Sequence, residues 1–374
     1  MPCLNEAETV GICIQKAYSY LSSAAISGEV LIADNGSTDG SPEIAKDNGA
    51  RVVIIKERGY GAALMGGIDS AYGKYVVMAD ADSSYDFYDL GPFINCLSHG
   101  ADLVIGNRFK GGIDSGAMPF LHQFLGNPVL SWIGRLFFRL KIGDFHCGLR
   151  AFQKDRILAL NLRTTGMEFA SEMIVKAALA GYRIDEVPTR LYRDGRSRGS
   201  HLRTWRDGWR HLSFLLSFSP KWLFLYPGLV LLASGLFGVI LLLPGPFFFG
   251  KVGFDIHTFV MACLSMVVGV QAISFSVLAR DFSARFNIIP VSLHSSRVIR
   301  KLSVENILLF SLVLVVFGFV GIGWCMFQWA SVDFGQLLYY QLLRMLILSM
   351  TGIVIGLQIA LSGFMLSVIR IPVK

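Results

Sequence analysis

Short apolar runs alternate with longer segments of helical periodicity through the first 190 residues. Four runs, rich in β-branched side chains, predict strands at 29–33, 51–55, 75–78 and 102–105. The intervening segments have helical spacing at 6–22, 41–48 and 60–72. Strands that alternate with helices indicate an α/β domain with a Rossmann-like, mostly parallel sheet covered by helices.

The pattern changes near residue 221, where the apolar positions become continuous. Four uncharged stretches each have about the 20 residues that cross a hydrocarbon core of roughly 30 Å. They lie at 222–243, 256–279, 307–330 and 345–369. Buried helices of soluble proteins seldom run so long without a charge, so we predict an α-helical membrane domain with four transmembrane helices. Three spans and a re-entrant segment are the alternative.

The distribution of basic residues predicts the orientation in the membrane. The formal net charge is +7, and the loop 280–304 carries five basic residues: Arg280, Arg285, Arg297, Arg300 and Lys301. The loops on the other side carry one, Lys251. The excess of basic residues in cytoplasmic loops predicts a multi-pass cell-membrane (inner-membrane) protein whose N-terminal domain and both termini are cytoplasmic. The six cysteines form no CxxC pair, which favours packing residues over disulfides. We expect no nucleic-acid partner.

Three polar, glycine-containing clusters follow the predicted strands, namely "DNGSTDGS" (34–41), "ERGYGAA" (57–63) and "DADSS" (80–84). In parallel sheets, ligands bind at the carboxyl ends of the strands, where such clusters converge. The opening "MPCLNE" also has the character of a loop after a strand, although no strand-forming run precedes it. We therefore expect the first strand of the sheet to be missing.

Asp80 and Asp82 are spaced to project to the same side of an extended chain. Carboxylate oxygens suit Mg²⁺ or Mn²⁺, which in proteins often take one or two carboxylates together with substrate phosphates. An acidic turn without a ligand is the alternative. Asp34, at the end of the second strand, is placed to accept a hydrogen bond from a base or ribose. Arg58, or the amides of 59–61, is placed to contact a diphosphate, unless "RGYGAA" is only a tight turn that enters a helix.

Several motifs, taken in their order and spacing, resemble those of the family 2 glycosyltransferases with a GT-A fold. They are "PCLNEAETV", "DNGSTDGS", "RGYGAAL", "ADADSSYDF", "GNRF", "DFHCGLRAF", "GMEFASEM" and "EVPTRLYRDGRSRGSHLRTWRDGW". The resemblance covers about residues 1–220. Within the family, the sequence resembles the bacterial branch related to dolichol-phosphate (polyprenyl-phosphate) mannose and glucose synthases. The membrane part matches in architecture only. Asn35 departs from the family, which often has a second acidic residue after Asp34.

The resemblance implies roles for particular residues. Binding of the nucleotide sugar is assigned to Pro2, Asn5, Glu6, Asp34, Arg58, Asp80 and Arg198. The metal ligands are Asp80, Asp82 and Ser84. The residues nearest the chemistry are Asp82, Arg108 and Asp144, and the acceptor phosphate is assigned to Arg108 and Ser197.

The implied activity is metal-dependent, inverting transfer of one hexose from a UDP- or GDP-sugar to a polyprenyl phosphate of the dolichyl or undecaprenyl type. The cofactor is Mg²⁺ or Mn²⁺, and the partners are the nucleotide sugar, the lipid and the membrane, with a second copy of the chain as a candidate partner. The Gln-x-x-Arg-Trp motif of processive synthases is absent from the sequence, which favours single-sugar transfer. The alternative is a flippase or scaffold for lipid-linked sugars with a non-catalytic nucleotide-sugar-binding domain.

We expect three parts: a GT-A domain at 1–192, a basic amphipathic juxtamembrane segment at 193–220, and a membrane domain at 221–374. In the second part, Trp205, Trp209, Leu212 and Leu216 recur at helical spacing, with Arg203, Arg206 and Arg210 on another face. This pattern predicts a helix in the lipid interface, and a core-packing helix is the alternative. The glycine-containing loop 109–127 is interpreted as a lid or as an irregular connection.

Overall fold

The structure, a computed structural model, describes residues 1–197, 204–286, 303–335 and 339–371. Contacts divide the chain into an N-terminal unit, Met1–Phe218, and a C-terminal unit, Ser219–Lys374. Five of the basic residues considered above lie outside the described residues: Arg198, Arg203, Arg297, Arg300 and Lys301.

The N-terminal unit alternates strands and helices as predicted, and the elements predicted in the first 105 residues lie within four residues of their predicted bounds. The strands are β1 (Pro2–Cys3), β2 (Leu31–Asp34), β3 (Arg51–Ile54), β4 (Tyr75–Met78), β5 (Leu103–Asn107), β6 (Arg150–Gln153) and β7 (Ile184–Pro188). The helices are α1 (Val10–Ser23), α2 (Ser41–Asp47), α3 (Tyr60–Ser70), α4 (Gly91–Ser98), α5 (Arg108–Gly111), α6 (Asn127–Phe138), α7 (Lys154–Ala159), α8 (Phe169–Leu179) and α9 (Thr204–Ser217).

The strands form two hydrogen-bonded sheets, ordered β1-β2-β3 and β4-β6-β5-β7. The first is parallel, and β7 is parallel to β5, whereas β6 runs antiparallel to both of its neighbours. The opening segment differs from the loop that we predicted, because Pro2 and Cys3 pair with Ala33 and Asp34 as a two-residue strand. This pairing places the residues after β1 beside the end of β2.

The core of the N-terminal unit fills the space between these sheets and their helices. Its large, fully buried apolar side chains include Phe93, Phe145, Phe152, Phe169, Leu103 and Ile105. Phe145 and Phe152 flank the turn into β6, so the sequence "DFHCGLRAF" is fixed in the core at both ends. Truncation of a buried aromatic side chain typically lowers the free energy of unfolding by several kcal/mol. The two phenylalanines therefore hold this turn in place.

The helix α9 buries a face that we had not predicted. His211 and Leu215 are buried, and a hydrogen bond of 2.9 Å joins His211 Nδ1 to Ser171 Oγ on α8. Trp205 and Trp209 are 81% and 66% exposed. The core-packing alternative therefore describes one face of α9, while a lipid-interface role for the tryptophan face stays a prediction. Arg206 and Arg210 are exposed as well.

The C-terminal unit contains four helices long and apolar enough to cross a membrane, which confirms the predicted number. The candidate spans are Lys221–Leu242, Ile256–Arg285, Val304–Ala330 and Leu342–Ile369. The first comprises a π-helical turn (Lys221–Leu225) and α10 (Tyr226–Leu242); α11, α12 and α13 are Ile256–Arg285, Val304–Ala330 and Tyr339–Ile369. The helix α11 packs against α10 and α13, and α12 packs against α13. A hairpin of β8 (Phe247–Phe249) and β9 (Val252–Phe254) joins α10 to α11.

An ion pair joins two of these helices at one end. Arg344 on α13, whose side chain is only 2% exposed, pairs with Asp255, the residue that precedes α11. We expect Asp255→Asn to lower the free energy of unfolding by about 3 kcal/mol, because it leaves a buried guanidinium without its counter-ion. Denaturant unfolding in detergent, followed by tryptophan fluorescence, measures this change. The exposed Asp333→Asn provides the control, and equal stability of the two variants would contradict the structural role of the pair.

Candidate active site

The acidic turn after β4 places two predicted metal ligands together. Asp82 is buried, and its Oδ1 accepts hydrogen bonds from Ser84 N at 3.0 Å and Ser84 Oγ at 2.5 Å. Ser84 therefore orients Asp82 in this structure. Burial, reinforced by the charge of Asp82, raises the pKa of Asp80 to about 6, although Tyr60 donates a hydrogen bond of 3.0 Å to Asp80 Oδ1. Two neighbouring carboxylates at one strand end make this turn a site that favours a cation.

The cation that faces Asp82 in the structure is Arg196. Its Nη2 contacts Asp82 Oδ2, and its Nη1 donates to Glu6 Oε1 at 3.1 Å. Our sequence reading of "GRSR" chose Ser197 and Arg198 and missed Arg196. Residues two positions apart lie on the same side of an extended segment, so the spacing of the two arginines gave no signal for choosing Arg196. Arg198 lies outside the described residues.

The segment around Arg196 is fixed by main-chain contacts. Gly195 N donates to Asp82 O at 2.9 Å, and Tyr192 N donates to Ser84 O at 3.0 Å. The N and Oγ of Ser197 both donate to the Glu8 carboxylate, at 2.8 and 2.6 Å. Ser197, which we assigned to the acceptor phosphate, thus lies beside the residues after β1. No hydrogen bond joins it to Arg108 within the described residues.

Asp34 and Asn5 build the turn at the ends of β1 and β2. Asp34 is buried, and its Oδ2 accepts from Gly36 N at 3.0 Å and from Ser37 N at 3.2 Å. Asn5 Oδ1 accepts from Thr38 N at 2.7 Å. A cavity of about 330 Å³ opens here, lined by Asn5, Glu6, Ala7, Glu8, Thr38, Asp39 and Arg196. Pro2 lies in β1, three residues before Asn5, and contributes to this site only through its strand.

Asn35 fixes the glycine-containing turn that was expected to contact a diphosphate. Its Nδ2 donates to Ile55 O at 3.1 Å and to Glu57 O at 2.7 Å, and its Oδ1 accepts from Gly59 N at 2.8 Å. The amide at this position, a departure from the family pattern, therefore has a structural explanation, because a carboxylate cannot donate these bonds. Arg58 is exposed and forms no hydrogen bond or ion pair with the residues that the structure describes.

Arg108 and Asp144 form a buried bidentate pair at the end of β5. Arg108 Nε and Nη2 donate to the two Asp144 oxygens at 2.6 and 2.8 Å. The same carboxylate accepts from Arg108 N at 3.2 Å and from His146 N at 3.1 Å. Four donors thus occupy Asp144, which is fully buried. A carboxylate bonded in this way orients Arg108 and is poorly placed to accept a proton.

The turn between Asp144 and β6 connects this pair to the acidic turn. Arg150, fully buried, donates to three carbonyl oxygens, those of Cys147, Phe145 and Ala170, at 2.9, 2.8 and 2.6 Å. At position 148 a Cβ would lie 2.8 Å from Asp80 Oδ2, so only glycine permits this approach. The structure therefore brings Asp80 next to the turn that carries Asp144. Sequence reading missed Arg150, although it stands inside the quoted motif.

The donor set at the acidic turn fits a divalent cation. Asp80 and Asp82 supply two hard carboxylates whose mutual repulsion a cation would relieve. Within the described residues, no cluster of three or more His, Cys, Asp or Glu side chains has metal-binding geometry. This agrees with a site in which substrate phosphates complete the coordination, as is usual for Mg²⁺.

An α/β unit with this acidic site, followed along the chain by four apolar helices, defines a membrane-bound glycosyltransferase. Residues 1–158 match the family described as glycosyl transferase family 2, and residues 277–370 match the glycosyltransferase family 2 C-terminal transmembrane region. The chain belongs to glycosyltransferase family 2. Its N-terminal unit accordingly has the GT-A fold that the motifs indicated.

Two relatives come from Haloferax volcanii. The low-salt glycan biosynthesis hexosyltransferase Agl6 is 34% identical over 98% of this chain and 87% of its own length. A dolichyl-phosphate hexose transferase is 31% identical over 43% of this chain and 68% of its own length. Among solved structures, glucosyl-3-phosphoglycerate synthase from Mycobacterium tuberculosis has 21% identity and a TM-score of 0.45, over 58% of this chain and 77% of that chain.

Proposed function

We propose that the protein transfers a single hexose, with inversion, from a UDP- or GDP-sugar to the phosphate of a polyprenyl lipid. The observation that carries this proposal is the Arg108–Asp144 pair beside the acidic turn. A guanidinium held bidentate by a carboxylate keeps further donors for a phosphate. One relative is named a dolichyl-phosphate hexose transferase, which supports the same acceptor class.

The chemistry needs no general base at Asp144. A lipid-phosphate oxygen is already anionic at neutral pH, so its attack on the anomeric carbon requires positioning more than deprotonation. Arg108 binds and orients this oxygen, and Asp144 holds Arg108. Glu186 supports the same turn, because its Oε1 accepts from Gly143 N at 2.6 Å and from Asp144 N at 3.2 Å.

Departure of the nucleoside diphosphate is the difficult part of the reaction. Asp80 and Asp82 would hold Mg²⁺ or Mn²⁺, which supplies Lewis-acid neutralisation of the leaving diphosphate. The cavity beside Asn5 is placed to take part of the nucleotide, and Asp34 orients the turn that forms its wall. Arg58, exposed and without an ion-pair partner in the described part of the chain, remains our candidate for the diphosphate.

We propose that the N-terminal unit lies on the cytoplasmic side of the membrane. The supporting observation is the position of Arg280 and Arg285 at the end of α11, opposite to the end that follows the β8–β9 hairpin. Basic residues at span ends favour the cytoplasmic side. Labelling of single cysteines introduced at positions 193 and 250 in sealed vesicles tests this orientation, and equal protection of both sites would contradict it.

The acceptor class is tested with purified full-length protein, Mn²⁺ and radiolabelled UDP- or GDP-hexoses. We expect label to enter the organic phase with a polyprenyl phosphate. The corresponding polyprenol should be at least about 10³-fold poorer, since an alcohol offers Arg108 no charge and is not a nucleophile without a base. Equal transfer to the alcohol would contradict the phosphate assignment. The screen of the two bases and several hexoses identifies the donor in the same experiment.

A further inference from the structure

The guanidinium of Arg196 lies among carboxylates at the donor site. It contacts Asp82 and Glu6, both buried, and Asp194 Oδ2 lies 3.5 Å from its Nε. Its side chain is 15% exposed, so solvent reaches it only in part. Nothing in the proposed reaction assigns a role to this arginine.

Arg196 contacts the oxygen of Asp82 that is not hydrogen-bonded to Ser84. Asp82 Oδ1 is taken by Ser84 N and Oγ, which leaves Oδ2 as the oxygen that faces outward, and Arg196 contacts this atom. A carboxylate in a metal site gives at least one oxygen to the ion. If that oxygen is Oδ2, the ion and the positively charged guanidinium of Arg196 compete for it.

The surroundings of Arg196 permit such an exchange without unfolding of the segment. The main chain is held independently, through Gly195 N on Asp82 O, Tyr192 N on Ser84 O, and Ser197 on Glu8. Among residues 192–197, the part of this segment that the structure describes, only the side chain of Arg196 contacts the Asp82 carboxylate. Rotation of this side chain frees Oδ2 while the segment keeps its place over the acidic turn.

We propose that Arg196 is a built-in counter-ion of the donor site, which neutralises Asp82 in the free enzyme and leaves it when a divalent cation binds. This inference rests on the proposed function, because it takes Asp82 as a ligand of the ion. The inference adds that the enzyme without nucleotide sugar binds the divalent cation weakly. The energy to displace Arg196 then comes from the nucleotide sugar, which binds together with the ion and so couples the two binding steps.

Binding of Mn²⁺ alone to the full-length protein in detergent tests the exchange, with no donor or acceptor present. The free Mn²⁺ signal in electron paramagnetic resonance measures affinity. We expect Arg196→Gln to bind Mn²⁺ about tenfold more tightly than the wild type, the size of a typical coupling between competing sites. Arg193→Gln removes the same charge from an exposed position in the same segment and should leave the affinity unchanged.

Further variants test whether Mn²⁺ binds at Asp82. Adding Asp82→Asn to Arg196→Gln should abolish the gain in affinity. Arg196→Lys, which keeps the charge and guards against a folding defect, should bind more tightly than the wild type, because an ammonium cannot bridge Glu6 and Asp82 as a planar guanidinium does. Unchanged or weaker Mn²⁺ binding in both Arg196 variants would overturn the exchange. Tighter binding in a protein that transfers no sugar would leave the exchange standing and contradict the proposed reaction.

Discussion

Replacing Asp82 by Asn is expected to lower kcat/KM for the nucleotide sugar by about 10³-fold. Asp82 gives the acidic turn its outward-facing oxygen, Oδ2, and an amide is a much weaker ligand for a hard divalent ion. A 10³-fold loss corresponds to about 4 kcal/mol of transition-state stabilisation, an ordinary size for removal of one electrostatic contact to a leaving group. Transfer of radiolabelled hexose at several donor concentrations measures it.

The control for this variant is Asp89→Asn, an exposed carboxylate seven residues later, which should keep full activity. A second comparison separates loss of the ion from misplacement of Arg196. In Asp82→Asn the amide NH₂ group can face the Arg196 guanidinium. Both groups are hydrogen-bond donors, so they repel each other and can displace Arg196. Adding Arg196→Gln removes this conflict. If the double variant regained activity, the loss in the single variant would come from Arg196, and the metal role of Asp82 would be wrong.

Much of the fold could be predicted from the sequence because apolar periodicity reports burial directly. The runs at 51–55 and 75–78 became β3 and β4, and the four apolar stretches became the four long helices. The pairing and direction of the strands were harder to predict from the sequence. Nothing local in "RAFQ" indicates that β6 runs antiparallel to β4 and β5. A two-residue strand such as β1 is too short to show a period.

The candidate site was predictable where the residues stand at strand ends and less so where distant segments meet. Asp34 ends β2 and Asp82 lies shortly after β4, so the strand pattern predicted the position of both residues. The contact of Arg196 with Asp82 joins residues 114 positions apart, and sequence spacing does not specify such pairs. Asp144 shows a related limit. Its motif suggested a role near the reacting sugar, whereas its partner, Arg108, became clear only from the geometry of two turns.

Replacing Arg108 by Gln is expected to separate acceptor use from donor binding. Arg108 contacts Asp144 and does not line the Asn5 cavity, so binding of a nucleoside diphosphate should be nearly unchanged when measured by calorimetry. Transfer to the lipid phosphate should fall by about 10³-fold, because Arg108 is the cation that we assign to the acceptor phosphate. Loss of donor binding in a folded variant would instead place Arg108 on the donor side.

Arg108→Gln should also destabilise the fold, and a second substitution tests whether the unpaired Asp144 carboxylate is the cause. Arg108→Gln leaves the fully buried Asp144 carboxylate without its counter-ion, which should lower the free energy of unfolding by about 3–5 kcal/mol. Adding Asp144→Asn removes the stranded charge, so the double variant should regain at least half of that stability and still fail to use the lipid phosphate. Lys110 lies on the same helix as Arg108, and its ammonium is largely exposed where it pairs with Glu186 of β7, so Lys110→Gln should cost less stability than Arg108→Gln. A double variant that regained activity together with stability would mean that the pair serves the fold alone, and the acceptor phosphate would then need a different cation.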